Sequence, residues 1–313
     1  MTAAKRLVVV RPHGFCSGVA RAVETAEAAL ARYRGETVYC LNEIVHNQQV
    51  VARLTSLGMV FVNAVDDVPA GSLLLFSAHG VAPEVVRHAV ARGLRVIDAT
   101  CPFVTKVHAE VRRFAAQGAR VICIGHGRHE EVVGVAGEAP EHVRVVESAQ
   151  EAEALAIPED EAVAVVTQTT LGAAQVEAVM AVLRRRFPKL RLPSSTDVCY
   201  ATRNRQQAVS VLARLCGKVL VLGSANSSNS QRLVETARAE GAEAVLVSEL
   251  AQLDGLALSD AGAVGMTSGA STPEPFLDEA VRTLRLRYGF PEPELLTAVE
   301  EDTHVFRLPA LPA

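Results

Sequence analysis

The 313-residue chain is 49% hydrophobic and 21% charged, the balance of a soluble globular protein with about two domains or three small ones. A formal charge of −4 and a pI near 6.2 exclude the basic surplus of a nucleic-acid binder. No apolar run reaches the ~18 residues of a membrane span. Six cysteines at this length are too sparse for a disulfide scaffold, which points to a reducing cytoplasm. The opening "MTAAKRLVVVRPHG" has too short an apolar stretch for a secretory signal and lacks the composition of a transit peptide.

In chain order the first element is a strand-like run, "RLVVV", ending at Cys16, with Gly14 and Gly18 on either side. Sixteen or so residues of helical spacing follow, "GVARAVETAEAALARY". A second run, "TVYCL", leads into a polar loop with His46, and a third, "SLLLF", into one with His79. The layout then repeats. "LRVIDAT" ends at Cys101, Pro102 opens a helix, "RVICIGHGRHEE" carries His129, and "AVAVVTQTT" carries Thr169. A third copy runs from "LRLPSSTDV" and Cys199 through a helix to "KVLVLGSANSSNS" with Ser227 and "AVGMTSGAS" with Ser271. His46, His129 and Ser227 lie 30, 28 and 28 residues beyond their cysteines, and His79, Thr169 and Ser271 lie 63, 68 and 72 beyond. Short, Val- and Leu-rich, non-alternating runs separated by helices predict an α/β protein with parallel strands buried on both faces. Three units are expected, at 1–98, 99–196 and 197–313.

Ligands of open α/β sheets bind at the carboxyl ends of strands, where every polar cluster of this chain falls. A thiol at a helix start is biased toward the thiolate, the form that acts as nucleophile, redox centre or metal ligand. One isolated cysteine there reads as a small core residue. Three placed alike read as a set, whereas Cys40, Cys123 and Cys216 lie inside apolar runs and read as core. Structural zinc closes a four-ligand shell, often with Cys-x-x-Cys pairs, and none occurs here. Zinc held by cysteines plus His129 stands as the alternative. A three-cysteine iron–sulfur cluster with one open iron fits best. "SANSSNS" offers hydroxyl, amide and backbone N–H groups ahead of a helix, which suits phosphate or, more plainly, an N-cap loop. Glu131, two residues after His129, is a candidate acid, and the hydroxyls of "TQTT" are candidate relays or helix caps.

These residues resemble the 4-hydroxy-3-methylbut-2-enyl diphosphate reductases, the IspH/LytB family. The resemblance runs nearly end to end, through "GFCSGVARA", "EIVHN", "FSAHGV", "DATCPFVTKVH", "TQTTL", "VCYATRNRQ", "GSANSSNS", "GAST" and "EEDTHVF". It implies three α/β/α units about a pseudo-threefold axis, with one 4Fe–4S cluster per chain at the centre. Carried over by motif, Cys16, Cys101 and Cys199 would hold the cluster. His46, His79, Ser227, Ser228, Asn229 and Ser271 would bind the diphosphate. Glu131 would deliver protons, with His129 and Thr169 beside it and Gln168 and Thr170 nearby. The implied reaction removes an allylic hydroxyl with two electrons and two protons, giving isopentenyl and dimethylallyl diphosphate in the last step of the methylerythritol phosphate route. The implied electron donor is a ferredoxin or flavodoxin, and the implied state is a cytoplasmic monomer.

The acid loop departs from the family, which commonly has His-Pro-Glu followed by Gly-Thr. Here Glu130 replaces the proline, "VVGVAG" lacks the threonine, and Glu130 becomes a rival acid. A non-catalytic iron–sulfur sensor or electron carrier is a second reading, and a paralogue reducing another allylic diphosphate a third. The closing "RLPALPA" carries no readable signal.

Overall fold

The computed structural model describes residues 5–259, 261–301 and 304–312. Asp302 and Thr303 of "EEDTHVF", the first four residues and Ala313 lie outside the described residues. Strand β1 (Arg6–Arg11) leads to Cys16. Then come α1 (Ser17–Arg32), β2 (Val38–Leu41), α2 (Gln48–Ser56), β3 (Met59–Val62), β4 (Leu73–Phe76), α3 (Pro83–Ala91) and β5 (Arg95–Asp98). Beyond Cys101 follow α4 (Pro102–Ala116), β6 (Arg120–Ile124), α5 (Glu130–Ala136), β7 (Val143–Val146), α6 (Ala149–Glu153), β8 (Val163–Thr167) and α7 (Ala173–Arg186). Beyond Cys199 follow α8 (Tyr200–Leu215), β9 (Lys218–Leu222), α9 (Ser228–Ala239), β10 (Glu243–Val247), β11 (Ala263–Ser268), α10 (Glu274–Tyr288) and β12 (Glu294–Thr297).

Among the described residues these strands form three wholly parallel sheets, ordered β3-β2-β4-β5, β7-β6-β8 and β10-β9-β11-β1-β12. An edge strand, the second run and the third run recur in that order in each sheet. The edge strands β3, β7 and β10 were not singled out by the sequence pattern. The run before each cysteine pairs beside the third strand of the preceding sheet. Thus β5 pairs with β4, and the segment at Arg191 bridges to Ala164 of β8. By the same rule β1, which the boundary 1–98 keeps with β2 to β5, pairs instead with β11 and β12. The four buried apolar residues of β1 pack on α10 by one face and on α8 and α9 by the other, and their buried backbone groups are paired by β11 and β12 on either side.

The described residues fall into two compact bodies. A one-sheet body is drawn from Met1–Ser17, His46–Val50 and Tyr200–Val305, and a two-sheet body from Gly18–Val45, Val51–Cys199 and Phe306–Ala313. In the one-sheet body Leu7, Val9, Leu220, Leu222 and Met266 pack on Phe276, Leu277, Ala280 and Leu284 of α10. The alternate residues Val8, Val10, Val219 and Val221 pack on Val209 and Leu212 of α8 and Leu233 and Val234 of α9. In the two-sheet body Val121, Cys123 and Val166 meet Val107, Val111 and Phe114 of α4, while Ile122, Ile124, Val163 and Val165 meet Val179 and Leu183 of α7 and Phe187, which caps it. Among the described residues no helix is long and apolar enough to cross a membrane.

Phe114 is 1% exposed at the centre of the α4 cluster. Phe114→Ala should therefore cost about 3–5 kcal/mol, whereas Leu286→Ala, on the exposed face of α10, should change stability by less than about 0.5 kcal/mol. Urea denaturation of the metal-free protein, followed by circular dichroism, reads both.

Candidate functional site

Each of the three cysteines stands where the chain turns into a helix. Cys101 is the N-cap residue of α4, with Pro102 at the first position, and Cys16 and Cys199 directly precede α1 and α8. A backbone hydrogen bond holds each in the same way. Cys101 N–H donates to Ala78 O (3.0 Å), Cys199 N–H to Thr169 O (3.1 Å) and Cys16 N–H to Ala270 O (3.1 Å). Every acceptor lies in the loop after the third strand of a sheet. None of the six cysteines is in a disulfide, and these three are half-buried while Cys40, Cys123 and Cys216 are buried. Burial pushes the Cys40 and Cys123 thiols well above the ordinary thiol range and raises that of Cys216. They fit the core role that the sequence suggests.

Two close approaches flank the cysteines. In the two-sheet body Gly18 packs on Cys101, and a Cβ at Gly18 would come within 2.4 Å of Cys101 Sγ. That contact is why a glycine stands two residues after Cys16. In the one-sheet body the Tyr200 hydroxyl, next to Cys199, donates to Ser17 Oγ (2.9 Å), next to Cys16. Tyr200 also lies edge-on to His304 at 4.8 Å, and burial raises the pKa of its phenol.

The one-sheet body brings three of the predicted polar segments together. Ser227 caps α9, its Oγ accepting from Ser230 N (3.3 Å), and Ser228 is the first residue of that helix. Asn229 Oδ1 accepts from Ala270 N (2.9 Å), while its Nδ2 is buried without a hydrogen-bond partner among the described residues. Ser271 Oγ donates to His46 O (3.0 Å), and Asn226 Nδ2 lies 3.5 Å from His46 Nδ1. A Cβ on Gly223 or Gly269 would fall within about 2.2 Å of Ser230 Oγ, so only glycines let the two strand-end loops meet there.

The two-sheet body gathers the acid loop. Glu131 is 2% exposed, and its carboxylate accepts from Thr169 N (2.6 Å) and Thr169 Oγ1 (2.9 Å). Glu131 N–H in turn donates to His129 Nδ1 (3.2 Å). Thr169 is thus a junction, because its carbonyl also receives Cys199 N–H. Glu130 faces another way. Its Oε2 lies 3.0 Å from His79 Nδ1, an ionic contact outside hydrogen-bond geometry, and the same ring nitrogen lies 3.2 Å from Ser77 Oγ. The His79 and His129 rings stand edge to face at 5.7 Å. Gln168 braces the loop, accepting from His126 N and donating to Thr170 Oγ1, each at 3.0 Å. The sequence singles out Gly18 beside Cys16 but not Ser17 or Tyr200, whose signal was their repeated place one residue after a cysteine.

Parallel sheets with half-buried cysteines, hydroxyls, imidazoles and a buried carboxylate in the loops at their carboxyl ends define an α/β protein whose polar groups lie at the strand ends of each body. The chain belongs to the LytB protein family, whose model matches residues 7–285. A 4-hydroxy-3-methylbut-2-enyl diphosphate reductase of Acidothermus cellulolyticus is 48% identical over 306 residues, 97% of this chain and 89% of that relative. One of Rhodococcus jostii is 49% identical over 97% of this chain and 90% of its own length. The solved structure of the E-1-hydroxy-2-methyl-but-2-enyl-4-diphosphate reductase from Plasmodium falciparum superposes with a TM-score of 0.94 at 34% identity, covering 98% of this chain and 96% of that one.

Thiol labelling separates the two sets of cysteines. Brief alkylation of the folded, metal-free protein at neutral pH should modify Cys16, Cys101 and Cys199 and spare Cys40, Cys123 and Cys216, as read by peptide mass spectrometry. Burial and a raised pKa both withhold the reactive thiolate from the second set.

Proposed function

We propose that this chain is a 4-hydroxy-3-methylbut-2-enyl diphosphate reductase, removing the allylic hydroxyl as water with two electrons and two protons to give isopentenyl and dimethylallyl diphosphate. The observation that carries the reading is the shared seating of Cys16, Cys101 and Cys199, in a chain of the LytB family. The donor set fits a 4Fe–4S cluster. It has three thiols without disulfide partners, each at a helix start, and no paired Cys-x-x-Cys to close a fourth position. Bound by those cysteines, one cluster per chain would supply the electrons and an open iron for the substrate hydroxyl. The sheets would then act as three α/β/α units about a pseudo-threefold axis, with β1 counted in the sheet it pairs with.

The chain's own residues supply the rest. His46, Ser227, Ser228, Asn229 and Ser271 are assigned to the diphosphate, and the buried, unpartnered Nδ2 of Asn229 is the kind of donor such an anion satisfies. His79 is assigned to the same anion, with Glu130 as its neighbour rather than as the acid. Glu131 in its protonated form is the proton source; Thr169 Oγ1, 2.9 Å away, would then accept its O–H and pass its own hydroxyl proton on to the substrate. His129 steadies Glu131 through its backbone N–H. Gln168 and Thr170 hold the loop and border the substrate. A ferredoxin or flavodoxin in the cytoplasm would deliver electrons to a monomer.

Cys16→Ser, Cys101→Ser and Cys199→Ser should each fail to retain iron after anaerobic reconstitution, and Cys123→Ser should retain it. Glu131→Gln should hold iron and bind substrate yet turn over about 10² to 10⁴ times more slowly in dithionite-driven assays. Glu130→Gln should keep kcat near wild type and alter KM. A dead Glu130→Gln with an active Glu131→Gln would move the acid to Glu130, and wild-type iron content in the three serine variants would remove the cluster.

A further inference from the structure

Each cysteine launches a helix, and each of those helices carries a cation at nearly the same place: Arg21, Lys106 and Arg205, at five, five and six residues beyond Cys16, Cys101 and Cys199. Helical side chains lean toward the N-terminus, so a long cationic side chain in the second turn reaches back to the cysteine end. Each of the three donates to backbone near a cysteine, and Arg21 Nε also donates to Arg307 O (2.8 Å). In the two-sheet body Arg21 Nη1 donates to Thr100 O (2.9 Å), the residue before Cys101. In the same body Lys106 Nζ donates to Ser195 O (2.8 Å), Thr196 O (3.2 Å) and Asp197 Oδ1 (2.8 Å), on the approach to Cys199. In the one-sheet body Arg205 Nη2 and Nε donate to Gly14 O (2.9 and 3.3 Å), two residues before Cys16.

From these contacts we infer that Arg21, Lys106 and Arg205 are positioning residues, each clasping the backbone that leads into the next cysteine. In chain order the links run from Cys16 to Cys101, from Cys101 to Cys199, and from Cys199 back to Cys16. The inference rests on the reading of these cysteines as cluster ligands. Burial makes the clasps firm. Arg205 is 1% exposed and is matched by Glu301 at 3.1 Å, and the Asp197 side chain is fully buried and also accepts Thr167 N (3.0 Å). A buried charge held to a carbonyl by a charge-assisted hydrogen bond tolerates little displacement, because moving away strands it in a poor solvent.

The test uses full-length protein reconstituted anaerobically with iron and sulfide. Lys106→Met and Arg21→Met should lose iron to a chelator about tenfold faster than wild type, with Lys106→Arg restoring retention. In the metal-free proteins, amide exchange should quicken locally, at residues 195–199 in Lys106→Met and at 99–101 in Arg21→Met. Arg205→Met should do the same at 14–16. If it does not fold, Glu301→Gln, which leaves Arg205 without its counter-charge, takes its place with the same expectation. Unchanged exchange at these segments in folded variants overturns the clasps, and so does faster exchange with wild-type iron retention. If the wild type itself takes up no iron, the cluster reading falls, and exchange in the metal-free variants alone decides for or against the clasps.

Discussion

One backbone hydrogen bond, made once in the one-sheet body and twice in the two-sheet body, seats the three cysteines at strand ends. A cysteine at a helix start has an N–H with no partner inside its own helix. Each finds its acceptor in the loop after a third strand, at Ala78, Thr169 or Ala270. A bond of this kind fixes backbone rather than side chain. It ties the backbone of every cysteine to the end of a parallel strand. The next residue along the loop is His79 in one case and Ser271 in another, so the same bond indexes the polar groups against the sulfurs. At Thr169 the indexing is tightest, because one residue receives Cys199 N–H and donates twice to Glu131.

The first turn of α5 shows how adjacent side chains acquire different chemistry. Glu130 and Glu131 are neighbours in sequence and about 100° apart around the helix. Glu131 turns inward to the end of β8, where it is 2% exposed. Glu130 turns to His79 beyond β4, with its side chain 29% exposed. A proline in place of Glu130 would leave His79 without that negative neighbour, so the glutamate gives this chain's His79 a setting of its own.

Much of this was legible in the residues, and the limits have physical causes. The strand–cysteine–helix layout is local, set by apolar spacing and by Pro102, and the helices after Cys16, Cys101 and Cys199 appear where the spacing predicts. The polar strand ends were legible too, since His46, His79, Thr169, Ser227 and Ser271 all lie in loops beyond buried runs. The partner of β1 was not, because pairing across most of the chain leaves no trace in the period of either strand. The edge strands β3, β7 and β10 were missed for a related reason. Each is short and partly exposed, so its pattern is weak. Contacts such as Tyr200 with Ser17, or Gly18 with Cys101, needed coordinates, although the repeat had already set those residues in equivalent places.

The placement of β1 also sets an order of events during synthesis. Arg6 and Leu7 pair with Ala263 and Val264, so the first strand has no neighbour on that side until nearly the whole chain exists. At bacterial-to-eukaryotic elongation rates the delay is on the order of 10 to 50 seconds. The strand partners β4 of β5 and β6 of β8, before Cys101 and Cys199, are made well before that, while β1 and β9 both wait for β11. The hydrogen bond from Cys16 N–H to Ala270 O, three residues beyond Thr267 of β11, is therefore the last of the three cysteine seatings to be made.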